Sequence, residues 1–269
     1  MISFAGFKKE VWAHYWAHTR AMPWRTNHSP YFVVVSELML QQTQVPRVLV
    51  LFPKFIKKFP SFAVLARAPR ARVLRAWQGL GYNRRALYLH EIARKIAREY
   101  GGVLPRDTEA LKIFPGIGHN TAGSICAFAF NMPVVFVETN IRTVFLHHFF
   151  KNKNVVSDAD ILRLVKKTLD VKNPREWYWA LMDYGAYIKR TYGNPNARSK
   201  HYVKQSKFEG SNRQLRGKIL KILLAHPRGI TQKKLILELG ADRQKLQKPL
   251  SQLLREDMII YKKGRYSIA

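Results

Sequence analysis

Two carboxylates stand out by their surroundings. In Ser36-Glu37-Leu38-Met39-Leu40-Gln41-Gln42-Thr43-Gln44-Val45 a single acid sits in an apolar helical stretch, with amides one turn on. A carboxyl buried among apolar side chains has its pKa raised by desolvation, which suits a proton donor near neutral pH. Taken alone, a structural pair with Arg25 or Arg47 is the simpler account of Glu37. The second acid, Glu138, lies in Val134-Val135-Phe136-Val137-Glu138-Thr139-Asn140-Ile141-Arg142. By itself it reads as a helix-start acid at the positive end of the helix dipole.

A third feature is the Pro-Gly-apolar-Gly turn Phe114-Pro115-Gly116-Ile117-Gly118-His119-Asn120-Thr121-Ala122. Its glycines permit positive φ and close approach of a ligand to the backbone, and the helix start that follows offers N–H groups to an anion such as phosphate. A plain helix-turn-helix connection would look the same. Tyr82, after Gly79-Leu80-Gly81, is a glycine-flanked aromatic that could wedge into a base stack or be a core tyrosine. Adjacent His147 and His148 point apart on a helix, unlike metal ligands four residues apart.

The elements that must position these residues are helical. Apolar residues at three-to-four spacing predict helices over 8–18, 31–42, 46–58, 70–78, 84–100, 107–113, 120–130, 139–149, 158–169 and 174–189. Residues 189–213 are polar and basic, with Gly193, Pro195, Gly210 and Ser211, and read as an extended linker. Beyond it, helices over 213–224, 231–239 and 243–256 precede two short strands, 258–261 and 265–268. Three helices closed by a hairpin is the pattern of a winged helix. Residues 212–269 carry 14 Lys and Arg against 4 Asp and Glu, enough to track phosphate, although a protein-binding module with a solvated basic face has the same composition.

Over all 269 residues, 47 Lys and Arg against 17 Asp and Glu give a net charge of +30. Such self-repulsion is best tolerated beside a polyanion, and nucleic acid is the commonest. No run is long and apolar enough to span a bilayer, and the first residues lack the pattern of a secretory signal. The single cysteine, Cys126, excludes an intrachain disulfide and a cysteine-held iron-sulfur or metal centre. The expectation is a monomer of the reducing cytoplasm, nucleoid-associated, with no membrane partner.

Taken together, these pieces resemble the helix-hairpin-helix DNA glycosylase superfamily, and within it the MutY-type adenine glycosylases. The resemblance spans about residues 20–190 and is carried by Met22-Pro23-Trp24-Arg25, Ser36 to Val45, Trp77-Gln78-Gly79-Leu80-Gly81-Tyr82, Phe114 to Ala122, Asn140-Ile141-Arg142 and Leu181-Met182-Asp183-Tyr184-Gly185-Ala186. It implies excision of a flipped base from double-stranded DNA by cleavage of the N-glycosidic bond. The family acid falls on Glu37, which would protonate the base, and the second family carboxylate on Glu138, which would stabilise the sugar cation. Trp24, Arg25, Leu40, Asn120, Trp179 and Met182 would line the base pocket. Gln41, Gln42, Tyr82, Gly116, Gly118, His119, Asn120, Thr121, Asn140 and Arg142 would contact DNA, Tyr82 as the wedge with Gln42 beside it. The backbone carbonyls of Lys112, Phe114 and Ile117 would hold a monovalent cation, potassium or sodium.

The chain also departs from that pattern. Asn120 stands where bifunctional relatives carry a Schiff-base lysine, so the chain resembles a monofunctional enzyme. Glu138 replaces an aspartate and is one methylene longer. The four cluster cysteines expected after Ala186 are absent, and the winged helix expected at 212–269 would stand in place of the family's terminal domain that recognises 8-oxoguanine. Trp179 replaces a Gln or Glu that pairs with adenine, and an indole offers no acceptor to the adenine amino group.

The fold expected is all-α: a two-lobed helix-hairpin-helix glycosylase over residues 1–211, with one lobe at 25–130 and the other made of 1–24 plus 131–211, followed by a winged helix at 212–269. The expected function is monofunctional excision of a mismatched or damaged base, adenine opposite 8-oxoguanine or guanine. No cofactor is required for the chemistry. The alternatives are a uracil or thymine mismatch glycosylase, and a non-catalytic DNA-damage-binding protein.

Overall fold

The computed structural model describes residues 2–200, 202–205 and 207–269. Among them the helices are, in chain order, α1 Phe4–His18, α2 Pro23–Thr26, α3 Pro30–Leu40, α4 Val45–Lys58, α5 Phe62–Arg67, α6 Arg70–Ala76, α7 Arg84–Glu99, α8 Thr108–Lys112, α9 His119–Phe130, α10 Thr139–Phe149, α11 Asp158–Thr168 and α12 Pro174–Tyr192. After a 3-10 turn at Pro195–Arg198 come α13 Asn212–Ala225, β1 Ile230–Thr231, α14 Gln232–Leu239, α15 Arg243–Arg255, β2 Ile259–Lys262 and β3 Arg265–Ile268. The long helices fall where the periodicity predicts them. The short α2 and α5 were not expected.

Helix starts follow local chemistry. Asp107 accepts from Ala110 N–H at 2.8 Å to open α8, and Ser157 and Ser211 accept from Asp160 and Gln214 N–H, both at 3.2 Å, to open α11 and α13. Helix α3 stops two residues short of expectation because Gln42 takes φ 53°, which ends the helical path.

Contacts gather the chain into two units. The first comprises Met1–Val33, Pro105–Ile113 and Ile117–Lys204, and its core is built where α12 packs on α1 and α10. Fully buried Phe7, Phe145, Trp177 and Tyr178 fill it. Gly185 of α12 is required there, because a Cβ would lie 2.2 Å from the Asn140 carbonyl oxygen. The second unit comprises Val34–Leu104, Phe114–Gly116 and Gln205–Ala269. In it α7 packs on α5 and α6, over a core of Phe52, Phe55, Leu65 and Trp77. These boundaries cut the chain elsewhere than the lobes read from sequence, with 25–33, 105–113 and 117–130 in the first unit.

The C-terminal elements belong by contact to the second unit, where α13 meets α6 and Arg75 Nη2 donates to Leu224 O at 3.0 Å. Their order, α-β-α-α-β-β, ends in the expected hairpin. A short β1 adds an antiparallel edge, giving the sheet order β1-β3-β2 with Tyr261 opposite Tyr266.

The extended linker expected at 189–213 is only partly so. Helix α12 runs on to Tyr192, and Ser199 bridges to Val156. Asn196, 3% exposed, donates to Thr143 Oγ1 at 2.7 Å, while Arg198 donates to the carbonyls of Phe150 (2.5 Å), Lys151 (2.8 Å) and Leu146 (3.1 Å). Last-turn carbonyls have no partner within their own helix, and Arg198 supplies one at the end of α10. Composition marked this stretch as polar; it did not reveal that two polar side chains anchor it.

Candidate active site

Glu37 sits in the last turns of α3, half-buried, between buried Ser36 and Leu38. What fixes that end of the helix is a residue that sequence reasoning missed. Arg85, 6% exposed, donates to the carbonyls of Leu38 (2.8 Å), Met39 (3.0 Å) and Gln41, and to Thr43 Oγ1 at 2.9 Å. The same guanidinium reaches Leu80 O at 3.2 Å and Gly81 O at 3.1 Å in the turn before Tyr82. Burial pulls it down to about 10, so it stays charged at neutral pH. One side chain thus joins the helix that carries Glu37 to the turn that carries Tyr82. The signal was available: Arg85 shares the apolar face of α7 with Leu89, Ile92 and Ile96, all buried.

Gln42 and Tyr82 both hold positive φ, 53° and 45°, and Trp77 Nε1 braces the second turn by donating to Gly81 O at 3.2 Å. Tyr82 is half-buried, with the Arg85 and Arg213 guanidiniums 5.4 and 5.1 Å from its ring centre. Gln41 Nε2 donates to Gly116 O at 3.0 Å, fastening the end of α3 to the Pro-Gly turn. Gly116 has φ 76°, and a Cβ there would fall 2.5 Å from the Tyr88 ring, so two constraints require glycine.

In the first unit, Glu138 is the N-cap of α10, its Oε1 accepting from Asn140 N–H at 2.6 Å and Ile141 N–H at 2.9 Å. Although its surface is not fully covered, desolvation pushes this carboxyl above the usual carboxylate range. The two N–H donors, Lys189 and Arg142 pull the other way. Asn120, exposed in the first turn of α9, accepts from Val137 N–H at 3.2 Å and so pins the segment leading to Glu138. Gly118, His119 and Asn120 are exposed at that helix start, and Thr121 is half-buried. Lys112 is exposed at the end of α8, while Phe114 and Ile117 are buried at 2% and 4% exposure.

Arg25 pairs with an acid other than Glu37. Its two arms meet Asp183, Nη1–Oδ2 at 2.7 Å and Nη2–Oδ1 at 2.8 Å, and Arg20 Nε reaches the same carboxylate at 2.6 Å. Burial alone would raise the Asp183 carboxyl, but the hydrogen bonds and charges of Arg25 and Arg20 hold it below the usual range. The Arg25 guanidinium also lies 5.3 Å over the Trp179 ring, which stacks on Phe128 and tilts against His28. Trp179 is 7% exposed and Trp24 6%, while Leu40 and Met182 are half-buried. Asp183 and Arg20 were not singled out in sequence, although Asp183 lies on the buried side of α12 with Ala180, Leu181 and Tyr184.

Arg142, expected at DNA, is paired with Asp158 through Nε–Oδ1 and Nη2–Oδ2, both 2.8 Å. Asn140 is half-buried beside it in the first turn of α10. Cys126 is buried in α9 and its thiol is pushed up to about 11 by burial, with Asp107 adding to the effect. Among the described residues no group of three or more His, Cys, Asp or Glu could hold a metal ion, and one thiol cannot supply an iron-sulfur cluster with its ligands. Nor, among those residues, is any helix long and apolar enough to cross a membrane.

Against known proteins, residues 35–169 match the family model of the HhH-GPD superfamily base excision DNA repair protein. The chain is 32% identical over 271 residues to an adenine DNA glycosylase of Mycobacterium tuberculosis, covering 92% of this chain and 88% of that protein. It is 33% identical over 271 residues to the Mycolicibacterium smegmatis protein of the same name, covering 93% and 92%. Among solved structures, that of a thermostable thymine-DNA glycosylase superposes with a TM-score of 0.64 at 24% identity, over 71% of this chain and 90% of that one.

Proposed function

This chain belongs to the HhH-GPD superfamily of base excision DNA repair proteins, and from that premise we propose that it is a monofunctional adenine DNA glycosylase. Its substrate would be adenine opposite guanine or 8-oxoguanine in duplex DNA. The observation that carries the reading is Glu138, a desolvated carboxylate fixed by two backbone N–H groups at the head of α10, beside a segment held by an asparagine and not a lysine. The choice of adenine follows the relatives named for that activity, aligned over nearly the whole chain.

In this reading the target nucleotide leaves the stack, because its glycosidic bond is out of reach inside the duplex. Glu37 gives a proton to the base, so that the leaving group departs neutral, and Arg85 holds the helix end from which Glu37 acts. As the bond breaks, positive charge grows on the deoxyribose and the Glu138 carboxylate stabilises it. Water completes the hydrolysis, since Asn120 has no nucleophilic amine to form an imine. Residues 1–211 form the glycosylase domain and 212–269 a winged helix on DNA, with the +30 charge supplying phosphate attraction. The hairpin carbonyls of Lys112, Phe114 and Ile117 remain the proposed ligands of a monovalent cation, and the protein acts as a monomer in the cytoplasm.

One observation favours a second reading, removal of uracil or thymine opposite guanine. Trp179 packs against Arg25, and its indole offers no acceptor for the adenine amino group. A panel of defined mismatched duplexes, scored for abasic sites, decides between them. Abasic sites at adenine support the first reading, abasic sites at uracil or thymine the second, and none on any duplex a non-catalytic protein.

A further inference from the structure

Helix α1 has two different faces. Phe7, Val11 and Tyr15 are buried in the core of the first unit, whereas Trp12 and Trp16, one turn apart beside them, stack with ring centres 5.6 Å apart and planes 12° from parallel. Trp12 is half-buried, braced by Trp177 at 5.6 Å and Tyr15 at 5.9 Å. Trp16 continues the stack outward and is 71% exposed, while every other tryptophan is buried or half-buried. An indole left in water forgoes the burial so large a side chain otherwise gains, and tryptophan anchors are what protein interfaces bury.

The pair forms one wall of a cavity of about 420 Å3, completed by Asp170 and Asn173 from the turn before α12 and by Glu176 from its first turn. Part of the placement of the acids is structural: Asp170 Oδ1 accepts from Lys172 and Asn173 N–H at 3.0 and 3.1 Å, and an acid in a first helical turn suits the dipole. Those roles do not neutralise the carboxylates, and among the described residues neither makes an ion pair. Two neighbouring cations are engaged with carbonyls, Lys8 Nζ with Leu169 O at 3.3 Å and Arg175 with Phe128 O at 2.6 Å and Ala129 O at 3.3 Å. In a chain of net charge +30, this wall is acidic and aromatic, with no basic side chain among its described residues. It repels phosphate and so does not belong to a DNA track. A cation is favoured instead, attracted by the indole faces and hydrogen-bonded by the carboxylates. Guanidinium satisfies both at once, because its plane stacks on an aromatic ring while its forked N–H groups meet a carboxylate. A second copy of the chain brings another +30 charge and is opposed by long-range repulsion.

We propose that the Trp12–Trp16 face, with Asp170 and Glu176, is a docking site for an arginine-bearing segment of a partner protein. The arginine enters the cavity against the stacked indoles, and an apolar residue beside it covers the exposed ring of Trp16. The site does not depend on which base the chain excises, and it gives a strongly basic protein one surface suited to a basic partner.

The test is fluorescence anisotropy of the full chain, at fixed salt, with a labelled peptide Gly-Gly-Arg-Leu-Arg-Gly-Gly and its counterpart in which citrulline, neutral and of the same shape, replaces both arginines. Wild type is expected to bind the arginine peptide about tenfold or more tighter than the citrulline peptide. Trp16→Ala and Glu176→Gln are each expected to weaken that binding by about fivefold or more. The citrulline comparison is made on the unaltered protein, so it is readable whether or not a variant folds. Equal binding of the two peptides by wild type, or unchanged affinity in both variants, would overturn the proposal. So would free argininamide competing as tightly as the unlabelled peptide, which assigns the cavity to a small cation. A dimer in sedimentation that Trp16→Ala dissolves would assign the face to a second copy, and weaker duplex binding by Trp16→Ala would assign it to nucleic acid; either result overturns the proposal.

Discussion

The side-chain oxygen of Asn120 accepts from the Val137 N–H at 3.2 Å, which ties the start of α9 to the residue before Glu138. In the proposed reaction a lysine at this position would offer an amine to the sugar; the asparagine instead fixes the backbone beside the carboxylate. Borohydride added during turnover is expected to trap no stoichiometric protein–DNA adduct, with strand breaks appearing only after alkali. A stoichiometric adduct would establish an imine and remove the monofunctional assignment. Asn120→Ala leaves Val137 N–H without this partner and should slow excision by about tenfold or more, because small displacements of a catalytic group are costly in rate.

Desolvation dominates at Glu138 and raises its carboxyl above the usual range, so the folded state disfavours the charge that the proposed chemistry would need. At low pH the group is protonated in both folded and unfolded chains and makes no difference to stability. As pH rises from the usual carboxylate value through the raised folded one, the unfolded chain releases its proton first and the folded state loses stability. Glu138→Gln lacks this penalty. Its Tm should match or exceed that of wild type at pH 7, with the gap closing toward about pH 4, while excision falls by about a hundredfold or more. A variant clearly less stable than wild type at pH 7 would show that the N-cap bonds outweigh desolvation.

Glu37→Gln keeps the shape of the side chain and removes its acid. Binding to substrate duplex should stay within about threefold of wild type while single-turnover excision is lost; excision at the wild-type rate would exclude Glu37 as proton donor. Arg85→Ala strips partners from the buried carbonyls at the end of α3 and in the 80–81 turn. It should cost about 3 kcal/mol or more in denaturant unfolding. A loss below about 1 kcal/mol would show that these carbonyls find other partners.

Phosphate contacts should dominate binding to undamaged duplex, so log affinity falls linearly with log salt. Replacing Lys262 and Lys263, at the turn between β2 and β3, with glutamine should shallow the slope by about 0.9 for each phosphate that the variant no longer neutralises. An unchanged slope would assign that face of the C-terminal module to a protein partner.

The helices were legible because their apolar residues recur at helical spacing, whereas Ser211, which caps α13, read only as part of a polar linker. Glu37, Glu138 and the Pro-Gly turn were legible as local patterns. Less visible were polar residues that act through tertiary contact. Arg85 and Asp183 look like ordinary charges until their helical faces are drawn, and Asn196 and Arg198 lie in a stretch whose composition resembles a linker. Trp179 was visible as a departure, but its packing on Arg25, His28 and Phe128 depends on residues far apart in sequence. Periodicity reports which face is buried; it does not report which buried charge meets which carbonyl.

If the chain releases adenine from a mismatch, the free base itself can be identified by chromatography after incubation with duplexes carrying adenine opposite 8-oxoguanine, adenine opposite guanine, uracil opposite guanine and thymine opposite guanine. Free adenine is expected from the first two, one equivalent per abasic site formed, and none from any duplex with Glu37→Gln. Release of uracil or thymine without adenine, or of no base at all, would contradict it.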